Sequence, residues 1–227
     1  MTDPPPAEGR DGGARPAGAR ALWYVAPGRA RLLDVELGPP ARNQVRVETA
    51  YSALSRGTES LVFRGLVPEA EWRRMRAPLQ EGEFPFPVKY GYAAAGTVAE
   101  GPASLVGRRV FCLHPHQSAF VADTAMVVPI PDAVPTRRAV LAANAETALN
   151  ALWDAGAGPC DRIAIVGGGV VGLLVGWLAA RMPGTRVTLV DVDPARRATA
   201  ETLGLSFAEP DAAPGGNDLV VHASATA

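Results

Sequence analysis

Short runs in which apolar and polar residues alternate fill the first half of the chain. In one of them Val45 and Val47 alternate with Arg46 and Glu48, and each run closes at proline or glycine. A period of two is typical of half-buried strands. Region 21–135 is therefore predicted to form a β barrel or sandwich, with one short exposed helix in "PEAEWRRMRAP".

The pattern changes to a helical period near residue 136. Thr136 is the predicted N-cap. The apolar face of the predicted helix comprises Leu141, Ala145, Ala148, Leu149 and Leu152. After the loop "DAGAGP", the run "DRIAIVG" is predicted to be a buried strand.

Glycines follow that strand directly, in the segment "VGGGVVGLLVGWLAARM". Gly167, Gly169 and Gly172 have the spacing GxGxxG, between a strand and a largely apolar helix. In this arrangement the first glycine makes the tight turn, the second lets a pyrophosphate approach the backbone, and the third lets the helix pack closely. The helical N–H groups of Val170 and Val171 would also face the phosphates. The segment predicts a dinucleotide site, and a glycine turn that serves packing alone is the alternative.

A second predicted strand, "RVTLVDVDP", reaches Asp191, where this fingerprint places a carboxylate on the adenosine ribose. A carboxylate there would repel a 2'-phosphate, so NAD(H) is expected. Arg196 and Arg197 leave NADP(H) as the alternative, unless they belong to an exposed helix face.

Composition narrows the classes of partner. Lys and Arg number 22 and Asp and Glu 23, which does not favour a nucleic-acid partner. The chain shows no signal peptide and no apolar run long enough for a membrane span, so a cytoplasmic protein with a small-molecule substrate is expected. Residues 1–20 are rich in Pro, Gly, Ala and Arg and are predicted to be a disordered leader.

This order of segments resembles the medium-chain dehydrogenase/reductase superfamily, and "SRGTES" and "FPVKYGY" resemble segments of its zinc-type alcohol dehydrogenase-like members. The resemblance implies an α/β protein. Its expected parts are a GroES-like catalytic β-barrel domain at 21–135 and a Rossmann domain, a doubly wound parallel sheet, at 136–227. The family's active site lies in the cleft between these domains. Only four Rossmann strands are predicted of the usual six, so we expect an incomplete domain, a truncated chain, and a homodimer only if the missing part is supplied.

The family's zinc ligands have no counterpart in this sequence. Ser55 or Arg56 stands where the first, a cysteine, would be, Tyr92 replaces the histidine, and the third falls near Ala143. None of these side chains is a usual zinc ligand. We therefore predict no catalytic zinc and no structural zinc.

Three residues are then candidates for catalysis. The resemblance places Thr58 at the start of the family's proton relay and Tyr92 at the zinc histidine, and His116 could line the substrate cleft. The alternatives are a helix cap for Thr58, core packing for Tyr92 and a satisfied hydrogen bond for His116. Cys112, His114 and His116 would face one side of a single strand, a spacing that could also hold a metal.

The sequence thus predicts an NAD(P)-dependent oxidoreductase. It would transfer hydride between nicotinamide and a carbonyl/alcohol pair or a polarised double bond, without zinc. The alternative is a nucleotide-binding fragment or subunit without turnover.

Overall fold

The computed structural model describes residues 18–224. The chain divides between Ala142 and Ala143 into two compact units, somewhat after the predicted boundary at residue 135. Residues 1–17 of the predicted leader lie outside the described residues. Its last three, from Gly18, belong instead to the first strand, because Ala19 is buried and pairs with Val35.

Among the described residues of the first unit, nine strands form two antiparallel sheets. They are β1 Gly18–Ala26, β2 Arg29–Glu36, β3 Gln44–Ser52, β4 Glu81–Gly82, β5 Val88–Lys89, β6 Ala94–Glu100, β7 Arg109–Cys112, β8 Ala119–Asp123 and β9 Val127–Pro129. One sheet has the order β2-β1-β5-β4 and the other β8-β3-β6-β7-β9. A bridge between Ala21 and Gln117 links the two. The predicted alternation is confirmed, since Val45 and Val47 are fully buried.

Three short helices accompany these sheets: α1 Arg56–Arg64, α2 Trp72–Met75 and α3 Thr136–Ala139. Single 3₁₀ turns cover Glu69–Glu71 and Thr124–Met126. The turn at Glu69 and helix α2 together confirm the short helix predicted in "PEAEWRRMRAP".

The single long helix predicted from Thr136 is wrong in its first part. Helix α3 packs against β3 and β6, and a separate helix, α4, spans Ala142–Asp154. Thr136 does not cap α3, because Pro135 holds the N-cap position. The Thr136 hydroxyl is buried and accepts a hydrogen bond from Arg109 Nη1 at 3.2 Å.

A four-stranded parallel sheet forms the second unit. Its elements after α4 are β10 Arg162–Val166, α5 Val170–Ala179, β11 Arg186–Val190, α6 Arg197–Thr202, β12 Ser206–Ala208 and β13 Leu219–His222. The strand order is β12-β11-β10-β13, and all three pairings are parallel. Numbered within this unit the order is 3-2-1-4, which coincides with the first four strands of the doubly wound order 3-2-1-4-5-6.

The core of this sheet is apolar, as the predicted strand pattern requires. Ile163, Ile165 and Leu189 are fully buried, and α5 places Val175 and Ala179 against them. No helix within residues 18–224 is long and apolar enough to cross a membrane.

Candidate functional site

A sharp turn connects strand β10 to helix α5 at the carboxyl edge of the parallel sheet. Gly167 has a φ of +106°, a left-handed conformation that favours glycine. A Cβ there would meet the Ser224 amide nitrogen at 2.7 Å. Its own amide donates to the Val190 carbonyl at 2.8 Å. The positive φ and the close neighbouring atoms therefore both require glycine at position 167, where the tight turn is predicted.

The other two motif glycines differ in what surrounds them. A Cβ on Gly172 would stand 2.0 Å from the Gly167 carbonyl oxygen, whereas a Cβ on Gly169 would meet nothing within 4 Å. Gly172 thus lets the helix close on the turn. Gly169 leaves open space at the N-cap of α5, in front of the first helical amides at Val170 and Val171, which have no partner within the helix.

Asp191 comes directly after β11 and binds the glycine turn. One carboxylate oxygen accepts from the Gly168 amide, and the other accepts from the Asp193 amide at 2.8 Å. The residue is half-buried. Asp191 therefore fixes the turn in addition to the ribose role predicted for it.

The two arginines raised as an NADP(H) alternative have different surroundings. Arg196 pairs with Asp193 at 3.4 Å, and its Cγ lies 3.1 Å from the point where a Cβ on Gly168 would stand. Arg197 instead stacks on the Phe207 ring, with its guanidinium carbon 4.6 Å from the ring centroid. Only Arg196 of this pair approaches the glycine turn.

The pyrophosphate and adenosine ribose of a dinucleotide fit the residues present here. Such a ligand requires three features, all of which are present. They are open space in front of Gly169, close packing behind Gly172 and an acidic group at the end of the next strand. The residues that would hold it are those predicted: Gly167, Gly169, Val170, Val171, Gly172 and Asp191.

A second polar cluster lies in the first unit, around the buried carboxylate of Glu59 on α1. Its Oε2 atom accepts from Tyr24 OH at 2.9 Å and lies 2.8 Å from His116 Nε2, while Oε1 accepts from the Ser55 amide at 2.7 Å. The other ring nitrogen of His116, Nδ1, lies 3.0 Å from Ser52 Oγ. Burial, and then the nearby Glu59 carboxylate, raise the pKa of Tyr24, so this phenol remains a donor.

The three predicted catalytic residues all adjoin this cluster. Thr58 precedes Glu59 in the first turn of α1. Tyr92 follows Gly91, whose Cβ would stand 2.7 Å from His116 Nε2. The helix-cap alternative for Thr58 is wrong, because Ser55 is the N-cap of α1.

The hydroxyl groups of Thr58 and Tyr92 make no hydrogen bond within residues 18–224. Tyr92 does pack partly against the first unit's aromatic cluster, with its ring centroid 6.1 Å from that of Tyr90. The core alternative for Tyr92 is thus confirmed for its ring, and the phenol oxygen stays available for a ligand.

An open pocket of about 410 Å³ lies beside this cluster. Its lining residues are Arg20, Leu22, Leu32, Thr49, Ala50, Tyr51, Ser52, Leu54, His116, Gln117 and Ser118. Four of them are consecutive, which a regular strand would not permit. The β3–β6 register shifts between Thr49 and Tyr51, and such a bulge re-aims the side chains that follow it.

The proposed single-strand metal set is wrong in its geometry. Strand β7 ends at Cys112. His114 turns to the Pro115 carbonyl at 2.8 Å and stacks on Phe120, whereas His116 joins Glu59. Burial raises the pKa of the Cys112 thiol to about 12, so the thiolate that a metal requires is disfavoured.

Side chains at the family's zinc-ligand positions do not form a donor set for zinc. Ser55, Arg56, Tyr92 and Ala143 supply no thiolate, imidazole or carboxylate. Across residues 18–224, no group of three or more His, Cys, Asp or Glu side chains could hold a metal ion. The absence of zinc from the protein remains a prediction.

Sequence reasoning missed how these residues are connected. Neither Glu59 nor Lys89 is among the predicted site residues. Glu59 is nevertheless the centre of the cluster, and Lys89, 1% exposed, donates to Glu81 and to Gln117. Ser52 and Tyr24 carried no sequence signal, because each lies in an ordinary strand pattern and meets His116 or Glu59 only through tertiary structure.

Solved structures share this fold over nearly the whole chain, although no family model matches it. An alcohol dehydrogenase from E. coli, solved with NADH, is 16% identical with a TM-score of 0.75, covering 92% of this chain and 70% of its own. A zinc-binding dehydrogenase from Sinorhizobium meliloti, bound to NADP, is 18% identical with a TM-score of 0.75 and the same coverage. The quinone oxidoreductase from Thermus thermophilus is 20% identical with a TM-score of 0.71, covering 91% of this chain and 67% of its own.

These similarities confirm the sequence-based resemblance at the level of the fold. The chain has the mixed α/β architecture of these dehydrogenases and reductases, and it spans about 70% of the length of the first two.

Proposed function

We propose that this chain belongs to the medium-chain dehydrogenase/reductase superfamily and is an NAD(P)-dependent oxidoreductase that acts without catalytic zinc. In this proposal the first unit is the GroES-like catalytic domain and the second is the Rossmann domain. The observation that carries it is the turn from Gly167 to Gly172, with open space at Gly169 and Asp191 bonded to the turn. Relatives of the same fold contain NADH or NADP, which supports this choice of ligand.

NAD(H) is the proposed cofactor. When bound, the nicotinamide would exchange a hydride with the substrate. Asp191 would accept from the adenosine ribose while it keeps the turn in place. Arg196 lies close enough to the turn to make NADP(H) the specific alternative.

Polarisation of the substrate falls to hydroxyl groups in this proposal. Thr58 Oγ1 and Tyr92 OH are both uncommitted among the described residues, so each can donate to a substrate oxygen without breaking a native hydrogen bond. His116 is held by Glu59 and Ser52, and it would supply or remove a proton through Ser52 rather than directly.

Turnover and metal content test this function together. The purified chain, without a metal-binding tag, is assayed for NADH oxidation over a panel of aldehydes, ketones and quinones, before and after chelation. Turnover that survives chelation, with far less than one zinc per chain, is expected. One tightly held zinc per chain would overturn the zinc-free mechanism. NADH binding without turnover on any substrate would instead favour the nucleotide-binding alternative.

A further inference from the structure

We infer that the pocket of the first unit binds a small hydroxy or keto acid with an apolar chain, and that Ser52 is its proton-exchanging contact. Naming this ligand as the substrate rests on the proposed oxidoreductase function, and Thr58 and Tyr92 would then contact it from outside the pocket lining, to which neither belongs. Its binding to the pocket does not depend on that function. The inference follows from three features of the pocket lining: a hydroxyl at the end of a buried hydrogen-bond chain, an unpaired cation and an apolar wall.

The hydrogen-bond chain has a defined direction. The Glu59 carboxylate accepts from Tyr24 and from the Ser55 amide, so it accepts from His116 Nε2 as well. In neutral His116, Nδ1 is then the unprotonated nitrogen and accepts the Ser52 hydroxyl proton. The lone pairs of Ser52 Oγ remain free for the hydroxyl group of a ligand.

A second proton on His116 reverses the outer bond. Nδ1–H then donates to Ser52 Oγ, and the Ser52 hydroxyl is free to donate to a carbonyl oxygen. When Ser52 gives its proton to a ligand oxygen, it receives the Nδ1 proton of His116 in exchange. His116 is then neutral, and its Nε2–H still donates to Glu59. The same site therefore suits an alcohol and the corresponding carbonyl.

The pocket also contains features that select the rest of the ligand. Arg20 is one of its lining residues, and no carboxylate within residues 18–224 pairs with the Arg20 side chain. Leu22, Leu32 and Leu54 supply apolar surface, and the last two are more than half exposed. An acid group toward Arg20 and a hydrocarbon chain along the leucines match this arrangement.

Thr49 is a lining residue with one unpaired polar atom. Its Oγ1 atom is buried and has no hydrogen-bond partner among the residues that the structure describes, and Thr49 belongs to the pocket lining. Buried hydroxyls are nearly always paired in folded proteins. Because Oγ1 has almost no accessible surface, a ligand in the pocket would reach it only after the Thr49 side chain changed rotamer.

Binding is tested with 2-oxo-4-phenylbutyrate and its uncharged ethyl ester, in the full chain and without nucleotide. Titration is followed by ¹⁵N resonances of the imidazoles, since the chain has only three histidines. Free His116 is expected as the Nε2–H tautomer, and the acid is expected to shift its Nδ1 resonance. Ser52→Ala should weaken binding of acid and ester alike by about tenfold, and Ser52→Thr should restore part of it. Arg20→Gln should weaken only the acid, by about threefold.

Matched controls are Ser206→Ala, an exposed serine of the second unit, and Arg31→Gln, which lies next to Leu32 but outside the pocket. Both should leave the titrations unchanged. The inference is overturned if His116 is the Nδ1–H tautomer, if neither probe binds at millimolar concentration, or if binding leaves its resonances unmoved. A chain that binds the acid but not NADH would contradict the proposed function and leave the pocket assignment intact. A chain that binds NADH but not the acid would contradict the pocket assignment and leave the proposed function intact.

Discussion

The Glu59 carboxylate lies 2.8 Å from His116 Nε2, although the two residues are 57 positions apart in the sequence. This pair fixes the segment after β7 against helix α1. Thr58 precedes Glu59 in the chain, and Tyr92 follows Gly91, which packs closely against His116. A buried carboxylate that accepts three hydrogen bonds is costly to disturb, because each donor would be left unpaired.

Glu59→Ala is expected to lower the free energy of unfolding by about 3 kcal/mol. The substitution leaves Tyr24 OH, the Ser55 amide and His116 without their acceptor. Urea unfolding measures the change. Glu69→Ala, an exposed acid of the first unit, is the matched control and should cost no more than about 0.5 kcal/mol. Equal effects of the two substitutions would show that the Glu59 cluster does not stabilise the fold.

His114 predicts how stability depends on pH. Burial lowers the pKa of its imidazole to about 4 from the usual 6.5. The hydrogen bond to the Pro115 carbonyl opposes this shift, and the nearby Lys89 and His116 add to it. The unfolded chain therefore binds a proton that the folded chain does not. This contribution is fully present above pH 6.5 and is lost as the pH falls toward 4, by at most about 1.4 kcal/mol per pH unit.

Urea unfolding at several pH values measures this slope. His114→Phe should flatten it between pH 6.5 and 4 while keeping a ring against Phe120. His222→Ala, which removes an exposed histidine, should leave the slope as it is. A slope that His114→Phe does not change would assign the acid sensitivity to other groups.

Tyr92→Phe is expected to lower kcat about 100-fold with little change in stability, because the phenol makes no hydrogen bond among the described residues. Tyr90→Phe is its matched control. Tyr90 OH donates to the Met75 carbonyl at 2.8 Å, so its loss should lower stability and spare kcat. Steady-state kinetics and thermal melts of both variants separate the two roles. An unchanged kcat in Tyr92→Phe would remove this residue from the mechanism.

Asp191→Asn should weaken NADH binding about tenfold and narrow the preference over NADPH. Asparagine retains one oxygen for the turn, which makes it a better test than alanine at a residue that accepts from two backbone amides. Arg196→Gln should affect NADPH alone. Fluorescence titration with both nucleotides measures these affinities. Tighter binding of NADPH than of NADH by the unmodified chain would indicate that Arg196, rather than Asp191, determines the choice of cofactor.

The second unit was the more predictable of the two. A strand, a glycine turn, a helix and an acidic strand end are local patterns, and each is visible in consecutive residues from Arg162 to Asp191. The roles of Gly167 and Gly172 followed from their spacing, and the structure shows the left-handed φ and the close carbonyl that require them.

The first unit was predictable only as strands. Alternation identifies β3 and its buried valines, but it cannot show that a bulge turns Ser52 toward His116, since register depends on the partner strand. The cap predicted at Thr136 is wrong for a similar reason. Its sequence context suits a cap, and only the tertiary contact with Arg109 shows that its hydroxyl is used elsewhere.

Dinucleotide binding at the glycine turn is tested most sharply by NADH affinity in the unmodified chain and in Gly169→Ala. Gly169 has φ −72° and ψ 179°, and a Cβ there meets nothing within 4 Å, so alanine should leave the melting temperature of the free protein unchanged or slightly higher. The methyl group of this alanine would occupy the open space in which the pyrophosphate is proposed to bind. Gly172→Ala, by contrast, should cost about 2 kcal/mol of stability through its clash with the Gly167 carbonyl.

The proposed dinucleotide site predicts that NADH near 100 times its Kd stabilises the unmodified chain by about 2.7 kcal/mol and that Gly169→Ala binds NADH at least about tenfold more weakly while remaining folded. An unmodified chain whose melting temperature and NADH fluorescence do not respond to titration, or a Gly169→Ala variant that binds NADH equally well, would contradict it.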